Sequence, residues 1–156
     1  MKTFGLSLAV FAALAAGESV FAQPSADWLI VEVAPLIGPA STVGTRLNKS
    51  AKMWADEVNE RGGINGRKLE LVERDDYGDP DSAVAAAVAL EAAGVVAVVG
   101  DVFSGTTLAA APVYNGARHP VVQLSPSSSS PEVSHAGEDT FRICPRCFVS
   151  CPAMKR

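Results

Sequence analysis

The side chains best placed to do chemistry in this sequence are hydroxyls, in two groups. Ser104, Thr106 and Thr107 lie in Gly100-Asp-Val-Phe-Ser-Gly-Thr-Thr107, where an apolar run gives way to a helical pattern. Ser127, Ser128, Ser129 and Ser130 follow a second apolar run that ends at Leu124. The unsatisfied N–H groups of a helix start, with its positive dipole end, favour an anion such as a carboxylate, and the serines supply further donors opposite. The same residues also admit a plainer reading, with Ser104 as a helix cap and the serines as a flexible turn.

Other chemistries fit less well. Gly100 to Thr107 resembles a phosphate loop, but Thr106 stands where that pattern needs its lysine. An exported hydrolase with a nucleophile at Ser104 or Ser127–Ser129 would lack a Gly-x-Ser-x-Gly elbow, and His119 and His135 have no triad context. Asp75, Asp76, Asp79 and Asp81 are not spaced as a calcium loop, which leaves them turn and capping roles. Cys144, Cys147 and Cys151 supply one knuckle plus a spare thiol, too few for zinc. A Cys144–Cys147 or Cys144–Cys151 disulfide would leave one cysteine unpaired. No metal or cofactor is expected.

The 156 residues are 48% hydrophobic and 6% aromatic, with a formal net charge of -4. Thirteen Lys plus Arg against seventeen Asp plus Glu leave no basic surplus for nucleic acid. Lys2, the uncharged run from Phe4 to Ala16, and small residues at Val20 and Ala22 form a secretory signal cut after Ala22. The run is short for a membrane span, so no direct membrane insertion is expected. A soluble, exported product of roughly 130 residues is long enough for one core.

Periodicity supplies the elements that would hold the hydroxyls. Trp28 to Ala34 is a first strand, followed by a loop over about 35–44. From Thr45, the residues Leu47, Ala51, Trp54, Ala55 and Val58 share one helix face, and Gly62-Gly63 ends the helix. Further strands fall at Lys68–Arg74, Val95–Val99 and Pro120–Leu124, the third with both faces covered. Helices fall at about 80–93, behind an Asp79-Pro80 start, and from near Gly105 to Gly116. Pro112 should weaken or kink the latter. A doubly wound parallel α/β sheet follows, of order 2-1-3-4, with a further strand near Thr140–Ile143. Ligands of such sheets bind beyond the carboxyl ends of the strands, where both hydroxyl groups lie.

These blocks occur together in a known order. Gly38-Pro39 precedes Asn59-Glu-Arg-Gly-Gly-Ile-Asn-Gly66, then Asp75-Asp76-x-x-Asp79-Pro80, Val98-Val-Gly100, Ser104 to Pro112, Ser125-Pro126, Ser130-Pro-Glu132 and Phe141-Arg142. Over about residues 28–143 the chain resembles the N-terminal lobe of the leucine/isoleucine/valine-type periplasmic binding proteins. The resemblance implies a flavodoxin-like lobe of a type I binding protein, a small-molecule ligand (an amino acid or amide), and the membrane permease of an ABC transporter as partner. By position, Ser104 matches the serine that holds the ligand carboxylate. Ser127 and Ser129 match residues that bind the ligand through backbone and hydroxyl groups, and Thr106 lies in the same helix start. Val43 falls where some members place an aromatic pocket wall.

The expected organisation is a signal peptide over 1–22, the lobe over 23–143 and a divergent, unstructured tail over 144–156. From Arg146 the resemblance is lost, and a frameshift or premature stop is its simplest cause. Ile37, in place of a small residue, is a lesser departure. The alternatives to a binding fragment are a non-binding remnant and the serine hydrolase.

Overall fold

The computed structural model describes residues 27–145. The expected signal peptide and the tail from Arg146 lie outside the described residues. Five parallel strands form one sheet in the order β2-β1-β3-β4-β5. They are β1 (Trp28–Ala34), β2 (Leu69–Asp75), β3 (Ala97–Gly100), β4 (Val122–Ser125) and β5 (Thr140–Arg142). The helices α1 (Ser41–Glu60), α2 (Pro80–Ala92) and α3 (Ser104–Gly116) make the crossovers, and a short 3-10 turn at Pro131–His135 leads into β5. This is the expected topology, fifth strand included.

The two faces of the sheet are built differently. Val31, Val33, Val98 and Val121 pack on Ala83, Ala87 and Leu90 of α2 and on Ala110 and Tyr114 of α3. Alanine at the facing positions lets the two helices lie close to each other and to the sheet. Across the sheet, Ile30 and Leu69 pack on Ala55 of α1, with Trp28, Val58, Leu71, Ala97 and Val99 at the margin. Among the described helices, α1 alone covers that face. A helix is about 10 Å wide and strands are about 4.8 Å apart. Val122, Phe141 and Ile143, toward the β5 edge, accordingly stay exposed.

Some boundaries differ from expectation for identifiable reasons. Helix α1 begins at Ser41 rather than Thr45, with Ala40 at the cap position and no capping side chain. Gly44 is required there, because a Cβ would lie 2.2 Å from the Pro35 carbonyl oxygen. Strand β3 begins at Ala97, because Val95 still bonds back to Leu90 at the end of α2. Nor is β3 sealed on both faces, since Ala97 and Val99 are half-buried. Strands β2 and β4 each start later than the apolar runs suggested. Helix α3 continues through Pro112 to Gly116.

Candidate functional site: the hydroxyl-lined edge of the sheet

Strands β3 and β4 are adjacent and parallel, so the segments that follow them emerge side by side at the carboxyl edge. Gly100 starts the first of these loops and is pressed against β1. A Cβ there would meet the Val33 carbonyl oxygen at 2.0 Å. Asp101 follows with φ +49°, a left-handed conformation uncommon for a residue with a side chain. The turn is held from below by a buried network. The hydroxyl oxygens of Thr107, Ser125 and Ser128 form a triangle with sides of 3.1, 2.7 and 2.7 Å. Ser125 also donates to the Asp101 carbonyl at 2.9 Å.

A second buried layer lies beneath. Gln123 Nε2 donates to Asp101 Oδ2 at 2.6 Å and to the Thr107 carbonyl at 3.3 Å, while Gln123 Oε1 accepts from Thr140 of β5 at 3.1 Å. Thr140 in turn accepts from Asn115 of α3 at 2.9 Å. Burial, chiefly, pushes the Asp101 carboxyl up to about 7, and the Gln123 amide offsets part of that shift. This edge is therefore braced side chain to side chain from α3 across to β5.

The predicted residues sit on this brace with different orientations. Ser104 is the first residue of α3, not its cap, and its hydroxyl accepts the Ser130 N–H at 3.2 Å. That bond joins the two loops directly. Ser127, on the exposed side, donates to the Val102 carbonyl at 2.7 Å, a second link between the loops. Ser129 is half-buried, and its hydroxyl makes no hydrogen bond among the described residues. Thr106 is buried and donates to the Phe103 carbonyl at 2.9 Å, so its hydroxyl is engaged within the first turn of α3. Val43 is exposed in the first turn of α1.

The first N–H groups of α3 have no acceptor within the helix, as at any helix start. Together with the serines they make an edge rich in donors, with the Arg142 guanidinium donating to the Ser130 carbonyl at 3.2 Å. Such an edge suits an uncharged or carboxylate-bearing ligand held by hydrogen bonds. The support beneath it, Thr107, Ser125, Ser128 and Gln123, was not legible as a unit. Its members are spread over α3, β4 and the loop after β4, and share no period.

The remaining candidates are accounted for locally. Asp75 accepts the Leu36 and Tyr77 N–H groups, Asp76 accepts that of Gly78, and Asp79 caps α2 through the Ser82 N–H. These are the turn and capping roles expected. Both histidines are exposed. His119 stands just before β4, at the edge opposite the serines, which follow that strand. Cys144 is a half-buried free thiol, and Cys147 and Cys151 lie outside the described residues.

The profile of the periplasmic binding protein family matches residues 30–146, well over half of the chain. The chain belongs to the periplasmic binding protein family. It is 35% identical over 146 residues to the Leu/Ile/Val-binding protein homolog 1 of Brucella abortus, covering 93% of this chain and 38% of the relative. Among solved structures, it resembles the branched-chain amino acid transporter substrate-binding protein LivJ of Streptococcus pneumoniae, in complex with isoleucine. The TM-score is 0.72 and the identity 28%, over 77% of this chain and 34% of that one. An ABC transporter substrate-binding protein of Desulfitobacterium hafniense, in complex with Leu, gives a TM-score of 0.67 and 32% identity over 77% and 35%. This periplasmic binding protein chain thus spans little more than a third of the length of these relatives. Among its described residues no helix is long and apolar enough to cross a membrane.

Proposed function

We propose that this chain carries one side of the binding site of an ABC-transporter substrate-binding protein for a branched-chain amino acid or a related amide. It is a carrier of its ligand, not an enzyme, and works in the periplasm after removal of residues 1–22. A membrane permease receives the ligand from it. Residues 23–143 form the ligand-binding lobe, and the segment from Cys144 takes no part. The observation that carries this reading is the joining of the β3–α3 and β4 loops by the Ser130 N–H to Ser104 hydroxyl bond. It sets the free N–H groups of α3 and the hydroxyls of Ser127 and Ser129 at one edge.

In this reading the ligand carboxylate lies at the start of α3, against Ser104 and the first-turn N–H groups, with Ser127 and Ser129 completing its shell. Thr106 contributes through its backbone, because its hydroxyl is held by Phe103. Saturation-transfer NMR of the chain with leucine, isoleucine and valine tests the proposal. A response to these amino acids that Ser104→Ala diminishes supports it. No response from any amino acid, with the chain folded by circular dichroism, contradicts it.

A further inference from the structure

A second feature adjoins the hydroxyl edge on the α1 face of the sheet, with Gly100, Val102 and Pro126 of the edge loops in its lining. There the structure forms a half-open pocket of about 280 Å³. Leu47, Ala51 and Trp54 of α1, Val99 of β3, Leu124 of β4 and Pro126 form walls that are almost wholly apolar. Glu32, in the middle of β1, also lines the cavity. Its side chain is 2% exposed, and among the described residues only the Asn48 amide comes near enough to favour its charged form, without reaching hydrogen-bond geometry. Its polar neighbours are the Asn48 amide on α1, whose nitrogen is likewise unsatisfied, and Glu73, which faces it in register on β2. Among the described residues, the one ion pair joins Arg61 and Glu57 at the far end of α1.

A buried carboxylate without a counter-charge is costly. The cavity therefore favours an occupant that brings a cation to Glu32 and hydrocarbon to the walls. Its volume suits a small one, since benzene fills an engineered cavity of about 150 Å³. We propose that this cavity is a binding site for a small aliphatic primary ammonium ion, with Glu32 accepting from the ammonium group and α1 and β3–β4 enclosing the alkyl chain. A zwitterionic amino acid is excluded from it. Its carboxylate would meet Glu32 and Glu73, with no basic side chain in the cavity lining to offset them. The site thus differs from the neighbouring hydroxyl edge in the charge of the ligand it takes, an ammonium rather than a carboxylate.

The test is titration of the full chain with isopentylamine at pH 8, followed by heteronuclear NMR on the Trp54 indole and the α1 amides. Isopentanol is the neutral isostere. Saturable shifts are expected there, at least tenfold weaker for isopentanol and at least tenfold weaker in Glu32→Gln. Protons compete for the carboxylate, which burial holds at about 7, so the affinity should fall about thirtyfold from pH 8 to pH 5.5. In a second variant, Ala51→Leu, the added side chain fills the cavity and should abolish the response with the fold intact. That keeps the test decisive if Glu32→Gln does not fold. Equal affinity for the alcohol, retention of amine binding in either folded variant, or no saturable response overturns the proposal.

Discussion

Gln123 of β4 and Asp101, in the turn just past β3, meet side chain to side chain at 2.6 Å, both fully buried beneath the hydroxyl-lined edge. Among the described residues Asp101 Oδ1 has no partner, so the amide bond to Oδ2 is the hydrogen bond its carboxyl makes there. Replacing Gln123 with leucine keeps the bulk but removes that donor and the acceptor for Thr140. The cost should be about 2–3 kcal/mol, the range for stranding buried polar groups. Urea unfolding measures it, and a loss below about 0.5 kcal/mol would show that the network is not bracing the edge.

The same carboxyl makes stability depend on pH. Asp101 is raised from 3.8 to about 7 by burial. Between those values the folded chain holds a proton that the unfolded chain has released, so stability falls as pH rises through that window. Glu32, raised from 4.5 to about 7 by its own burial, acts with the same sign. Asp79, lowered by the Ser82 N–H, acts with the opposite sign, losing stability as pH falls, from an exposed position. Asp101 alone sets a limiting slope of about 1.4 kcal/mol per pH unit. Denaturation at pH 5 and pH 7.5 should show the chain less stable at the higher value, and Asp101→Asn should reduce the difference. Stability that rises over this interval would refute the assignment.

Gly100 marks where β1 and the β3–α3 turn touch. Its missing side chain would overlap Val33 backbone atoms at 2.0 and 2.7 Å, and a backbone offers no flexible end that could yield. Gly100→Ala should cost at least about 2 kcal/mol, as overpacking typically does. Gly116→Ala, where nothing lies within 4 Å, is the control and should change stability by less than about 1 kcal/mol. Similar effects of the two substitutions would mean that the turn relaxes freely.

A polypeptide of these 156 residues should bind amino acids weakly. One edge offers the carboxylate about three charge-assisted hydrogen bonds of ~1.5–3 kcal/mol each. Association costs about 4–15 kcal/mol in lost freedom, so at the lower end of that cost a few kcal/mol remain, enough for millimolar binding. A micromolar complex needs about 8 kcal/mol after that cost. Isothermal titration with leucine, isoleucine and valine should give a dissociation constant well above ~10 μM. A value at or below it would show that this edge alone suffices.

The strand order was legible because each element announced itself by its own period, and right-handed parallel crossovers leave few arrangements. Asp79-Pro80 announced α2 for the same local reason. The start of α1 was not legible, because Ala40 caps nothing and Gly44 speaks against a helix until its closeness to Pro35 is seen. Sequence also put Ser104, Ser127 and Ser129 near one edge but could not orient their hydroxyls. That depends on which carbonyl lies across a loop, as Val102 does for Ser127. Glu32 was hidden within an apolar run, and the cavity beside it exists only once α1 crosses the sheet.

The most direct test of the account is the amide NMR spectrum of the chain titrated with L-leucine, and separately with isovalerate, which has the carboxylate and the branched chain but no ammonium. Both ligands should move the same amides, those of Ser104, Gly105, Thr106 and Ser127 to Ser130, because the ligand carboxylate is placed at the start of α3. Shifts confined to other parts of the sheet, or leucine shifts at this edge that isovalerate does not reproduce, would contradict it.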